Sequence, residues 1–144
     1  MDKDEAIQLF ERIRTALPHL SMDLRAADSN VDASMAIPVQ SCLSFAVHLY
    51  LDSNALHMTA GEKLWLEWFP PDNQTVVEQY RDAALGVLSG EYRIVEYFRG
   101  TRAVKALLQR PNGDSWETIG TSGGLGRWRS WGARVSNVLQ ASRA

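Results

Sequence analysis

The sequence predicts an α+β fold, with helices packed against an antiparallel sheet built from two meanders. Three observations carry this. Apolar residues recur at helical spacing over 6–17 and 76–88, and they alternate with polar ones in the stretches that follow each. Short turns rich in Asn, Asp and Gly separate the alternating runs, which joins neighbouring strands antiparallel. The order therefore reads helix, three or four strands, helix, three strands, helix, with residues 1–144 as one domain.

In helix 1, Ala6, Leu9, Phe10, Ile13, Ala16 and Leu17 form one apolar face, and Pro18 closes it. Asp2, Asp4 and Glu5 sit in the first turn, where the positive end of the helix dipole favours acids. Residues 20–26 alternate as a short strand. From 27 to 40 a long loop is expected, because Asp28-Ser29-Asn30 is turn chemistry and Pro38 disfavours a central strand.

Residues 43–51 alternate from Leu43 to Leu51, with Cys42 packed at the strand's entry, and the pattern restarts at Leu56 and Met58. A two-residue turn at Ser53-Asn54 pairs Leu51 with Leu56 and Leu49 with Met58, leaving His48, Tyr50, His57 and Thr59 on the other face. Residues 63–69 make a third strand. Pro70-Pro71 ends it, and Thr75 with Glu78 has the spacing of a capping box for helix 2. Gly90 stands where a left-handed C-cap is needed.

Two hairpins follow. A turn at Phe98-Arg99-Gly100 sets Ile94 opposite Val104 and Glu96 opposite Arg102. A turn at Pro111-Asn112-Gly113 sets Leu108 opposite Trp116 and Arg110 opposite Asp114. Val87 and Ile94 are expected core residues. Residues 120–126 form a glycine-rich loop. Trp128, Trp131, Val135, Val138 and Leu139 then recur at helical spacing, so a C-terminal helix is expected.

Composition bounds function before any motif does. At 144 residues the chain has enough core to fold without a staple, and its lone Cys42 cannot form an internal disulfide. The acidic start Met1-Asp2-Lys3-Asp4-Glu5 lacks signal-peptide order, and no apolar run reaches the roughly 20 residues that span a bilayer. A cytoplasmic protein with no membrane contact is expected. Charge is uneven: residues 1–90 carry 13 acids against 6 bases, whereas 91–144 carry 4 against 9. A basic third beside an acidic body meets an acidic partner or pairs with its own acidic half.

Catalytic motifs do not accompany that asymmetry. Trp65-Leu66-Glu67-Trp68-Phe69 is either an aromatic-walled carboxylate site or a strand buried on both faces, and the lack of a second acid at matched spacing favours the latter. His48 and His57 share a face, but a structural zinc site wants four N/S ligands and none complete it. The glycines of 120–126 fit neither phosphate-loop spacing. No metal or cofactor is expected.

Arg127-Trp128-Arg129-Ser130-Trp131 with Arg134 interleaves bases with aromatics, as single-strand nucleic-acid binders do. On a helix, however, Trp128 and Trp131 fall on the apolar stripe, which suits packing against a core or a subunit, and the pI of about 5.9 counts against nucleic acid. The leading expectation is a non-enzymatic interaction or adaptor module, homodimeric or bound to another protein, using Trp128, Trp131, Arg127, Arg129 and Arg134 as its contact. The alternative is a small-ligand binder or enzyme with a pocket between sheet and helices, lined by His57, Glu67, Glu96, Arg99 and Arg102. Nucleic-acid binding through the C-terminal arginines is a third.

The predicted element order resembles that of the small, acidic, dimeric class I chaperones of type III secretion, which run helix, three strands, helix, two strands, helix. The resemblance is one of topology over most of the chain and implies binding of an extended effector segment. Immunity proteins against bacterial toxins are similarly compact.

Overall fold

The computed structural model describes residues 1–28, 31–124 and 135–142. Helix α1 (Lys3–Ala16) opens with a complete capping box. The Asp2 side chain accepts the Glu5 N–H at 2.9 Å, and the Glu5 carboxylate accepts the Asp2 N–H at 2.8 Å. Its Ala6, Leu9, Phe10 and Ile13 are buried, as their spacing predicts.

Five antiparallel strands follow in simple sequence order: β1 (Asp23–Asp28), β2 (Val31–Ile37), β3 (Val47–Leu51), β4 (Leu56–Ala60) and β5 (Leu64–Trp68). The β3–β4 register is the one the Ser53-Asn54 turn dictates, with Leu51 opposite Leu56 and Leu49 opposite Met58. The long loop expected over 27–40 is corrected by β2. Ala33, Met35 and Ile37 point into the core in strict alternation, and Pro38 ends the strand rather than excluding it. Small and polar residues between those positions hide the strand, because tertiary pairing with β1 and β3 supplies what propensity lacks. The strand expected from residue 43 begins at Val47; Leu43 makes only an isolated bridge to Gln40. Half-buried Cys42 lies before it, its carbonyl accepting the Ser142 N–H at 2.9 Å.

Helix α2 (Gln74–Ser89) is capped by Asn73, whose side chain accepts the Val76 N–H, so the Thr75–Glu78 capping box is corrected to a start two residues earlier. Asn73 stands two residues after Pro71 and reaches the first free amides before Thr75 does. Gly90 ends the helix at φ 82°, the left-handed conformation expected of it.

The second sheet runs in the order β8-β7-β6-β9, with β6 (Arg93–Arg99), β7 (Arg102–Asn112), β8 (Ser115–Gly123) and β9 (Val135–Leu139). Both expected hairpin registers are corrected. Each turn holds two residues rather than three, so Arg99 pairs with Arg102 and Asn112 with Ser115. The two-residue turn alone shifts the pairing by three, and a register shift between Tyr97 and Phe98 adds a fourth, so Ile94 faces Leu108, four residues from the expected Val104. An even slip conserves the face, which is why Ile94, Ala106 and Leu108 are still core. The glycine-rich loop is corrected too, because Gly120 to Gly123 belong to β8.

The C-terminal helix is overturned where the chain is described. Val135–Leu139 is a strand antiparallel to β6, pairing Val135 with Phe98 and Leu139 with Ile94. Helical spacing of valines and leucines loses here to an open edge on β6 that only a strand can satisfy. With five and four strands and a terminal strand, the chain departs from the type III chaperone order it resembles in outline.

The two helices cover one face of the first sheet, α1 against β1 to β3 and α2 against β4 and β5. One buried cluster joins Phe10, Ile13, Met35, Leu49, Met58 and Tyr80 to Ile94, Ala106 and Leu108 of the second sheet. Among the described residues, no helix is long and apolar enough to cross a membrane.

Candidate functional site

The outer face of the first sheet, opposite the helices, carries the histidines flagged by pattern. Register places Tyr50 opposite His57 and His48 opposite Thr59. The Tyr50 and His57 rings stack at 4.5 Å and 9°, and His48 lies 5.2 Å from Tyr50. From β5, Trp65 leans diagonally over His57, with the rings 5.8 Å apart and 6° from parallel. Its indole N–H donates to the Tyr50 hydroxyl at 3.1 Å. Aromatic neighbours thus bury His57 to 4% exposure. Burial also pushes the His48 imidazole below its ordinary value.

Beneath this stack, His57 Nε2 lies 2.6 Å from Asp52 Oδ2. Asp52 Oδ1 accepts the N–H groups of Asn54 and Ala55, each at 2.9 Å. Burial pushes the Asp52 carboxyl up, but those two turn amides and His57 together outweigh it and hold the group below the usual carboxylate value. His57 Nδ1 is buried without a hydrogen-bond partner. A carboxylate–imidazole pair is half of a nucleophilic relay, yet no hydroxyl or thiol bonds Nδ1, so the pair locks the β3–β4 turn to the aromatic stack. Among the described residues, no group of three or more His, Cys, Asp or Glu side chains is placed to hold a metal ion.

Glu67 stands opposite His57 across β4 and β5 and is exposed. The expectation that 63–69 is buried on both faces is overturned: Trp65 is 53% exposed and Phe69 68%. Among the described residues no further layer covers this side of β5, so Trp65, Glu67 and Phe69 face solvent.

The five expected pocket residues do not converge. His57 and Glu67 share the outer face. Glu96 is 2% exposed, its Oε2 accepting the Glu62 N–H at 2.9 Å. It lies beneath Gly61, where a Cβ would approach that oxygen to 3.0 Å, so Glu96 anchors the β4–β5 turn to β6 rather than lining a pocket. Arg99 and Arg102 pair at the end of the β6–β7 hairpin and, with Lys63, line a depression of about 320 Å³. The five residues thus lie in three places, and Arg99 and Arg102 share one depression. A groove of about 440 Å³ does lie between α1 and α2, but its Glu5, Arg12, Asp72, Glu78 and Arg81 mix both signs of charge.

The basic depression adjoins the point where the described chain pauses. Gly124 donates its N–H to the Val104 carbonyl at 3.1 Å, and the chain resumes at Val135 opposite Phe98. Arg127, Trp128, Arg129, Trp131 and Arg134 fall between these points and lie outside the described residues.

Sequence reasoning placed Tyr50 beside His57 but did not single out Asp52 or Lys63. For Asp52 a signal exists, since Asp before Ser53-Asn54 is Asx-turn chemistry five residues from His57. For Lys63 there is none, because its neighbours Arg99 and Arg102 arrive from another sheet. No family model, curated protein or solved structure compared with this chain matches it.

Proposed function

We propose that this chain is a non-enzymatic binding module whose basic end engages an acidic segment of a protein partner. The observation that carries the reading is the depression shared by Lys63, Arg99 and Arg102. Lys63 and Arg102 have no carboxylate partner among the described residues, so their charge faces outward. The sequence between Gly124 and Val135 also carries Arg127, Arg129 and Arg134 with Trp128 and Trp131, residue types enriched at binding hot spots. Clustered like charges raise association rates with a complementary surface and make affinity fall with salt. A pI of about 5.9 is not that of a dedicated nucleic-acid binder.

The test is titration with a glutamate-rich peptide and, in parallel, with a single-stranded oligonucleotide. The peptide is expected to bind at low salt and release as salt rises, and Arg102→Glu is expected to weaken it about tenfold, a loss worth about 1.4 kcal/mol. Tighter binding of the oligonucleotide, or peptide binding indifferent to Arg102→Glu, overturns the reading. Light scattering that finds a monomer at high concentration excludes a second copy of the chain as the acidic partner.

A further inference from the structure

We propose that the outer face of β5 is a second recognition site, built from Trp65, Glu67 and Phe69, that takes an arginine side chain from an extended basic segment of a partner protein. The platform is prepared in advance. One face of the Trp65 indole rests on His57, 5.8 Å away and 6° from parallel, and its N–H is held by the Tyr50 hydroxyl at 3.1 Å. His57 is itself pinned by Tyr50 at 4.5 Å and by Asp52 at 2.6 Å. The ring therefore has little rotamer freedom to lose on binding, and its 53% exposure leaves contact area open to a ligand.

Glu67 decides what that ligand is. It follows Trp65 by two residues on the same side of the strand, about 6.6 Å along it. Glu67 has no cationic partner among the described residues. Phe69, 68% exposed, follows at the strand's end. A purely apolar occupant would strip water from the carboxylate with nothing in return, and an anionic one would meet Glu67 head-on. A guanidinium satisfies both parts, stacking on the indole while its N–H fork donates to the carboxylate. The molecule already makes that stack internally, with the Arg93 guanidinium 4.3 Å from the centre of the Trp116 ring. Lys63, two residues before Trp65, lies against Gly123 and belongs to the basic depression, so it does not compensate Glu67. This site is distinct from the basic end and takes the opposite charge.

The experiment is calorimetric titration of the intact chain with an acetylated, amidated peptide of alternating arginine and glycine, beside its lysine and glutamate counterparts. The arginine peptide is expected to bind more tightly than the lysine one, and the glutamate peptide not at this face. Glu67→Gln is expected to weaken the arginine peptide about tenfold and Trp65→Leu at least as much, whereas Arg102→Glu leaves it unchanged. Should Trp65→Leu perturb folding by uncovering His57, Glu67→Gln decides alone, because that exposed carboxylate supports no described bond. Absence of arginine-peptide binding, or binding that survives Glu67→Gln, overturns the proposal. Self-association that Glu67→Gln abolishes also overturns it, since the occupant is then a second copy of this chain.

Discussion

Tyr80 reaches from α2 through the core to the aromatic face, its hydroxyl donating to the His57 carbonyl at 2.8 Å and its ring meeting Trp68 edge-on at 5.2 Å. Complete burial pushes its phenol well above the ordinary value, with the nearby Tyr50 phenol adding to the shift. The direction fixes the sign of the pH dependence. Below about pH 10 both folded and unfolded chains keep the proton, so the stabilisation is whole; above it only the unfolded phenol ionises freely, and stability falls as pH rises. Tyr80→Phe is expected to cost about 1 kcal/mol at neutral pH and to flatten the alkaline loss. Thermal melts of both proteins from pH 7 to 11 check this, and parallel alkaline limbs contradict it. Of the aromatic face, the opposition of Tyr50 and His57 was legible because a two-residue turn admits one register. The burial of His57 was not, since it depends on an indole arriving from a third strand.

Helix α2 sets local preference against packing at Gly86. Alanine there gains about 1 kcal/mol of helix propensity, but its Cβ would lie 2.4 Å from the ring of Tyr92, a residue whose backbone N–H donates to the Gly86 carbonyl at 2.8 Å. Overpacking costs about 1–3 kcal/mol, so Gly86→Ala is expected to be destabilising on balance. Urea unfolding decides, and a midpoint higher than that of the parent chain would show that the ring moves aside cheaply. The same contest explains which elements pattern revealed. Where periodicity was long and ended in glycine or proline, as in α1 and α2, the element stood where expected. β2 and β9 were misread because their strand identity comes from partners: β2 from β1 and β3, β9 from the edge of β6.

Beside the shared core, two side chains among the described residues tie the sheets by hydrogen bonds. The Ser122 hydroxyl accepts the Trp65 N–H at 2.8 Å and donates to the Trp65 carbonyl at 2.9 Å, so one side chain does for β5 and β8 what a strand pair would do. Glu96 joins β6 to the β4–β5 turn through the Glu62 N–H. Ser122→Ala leaves both Trp65 backbone groups without that partner at a partly buried seam and is expected to cost about 1–3 kcal/mol. Hydrogen exchange at the Trp65 amide is expected to accelerate, and unchanged protection there would mean the seam is held otherwise. From residues alone one learns that the chain is α+β, where its two described helices run, how β3 pairs with β4 and which faces are apolar, because period and turn chemistry are local. Strand partners for β2 and β9, the meeting of Lys63 with Arg99 and Arg102, and the hydroxyl that bridges the sheets join residues up to 57 positions apart. Such contacts follow from which backbone edges remain unpaired once the chain is compact, and no local window contains that information.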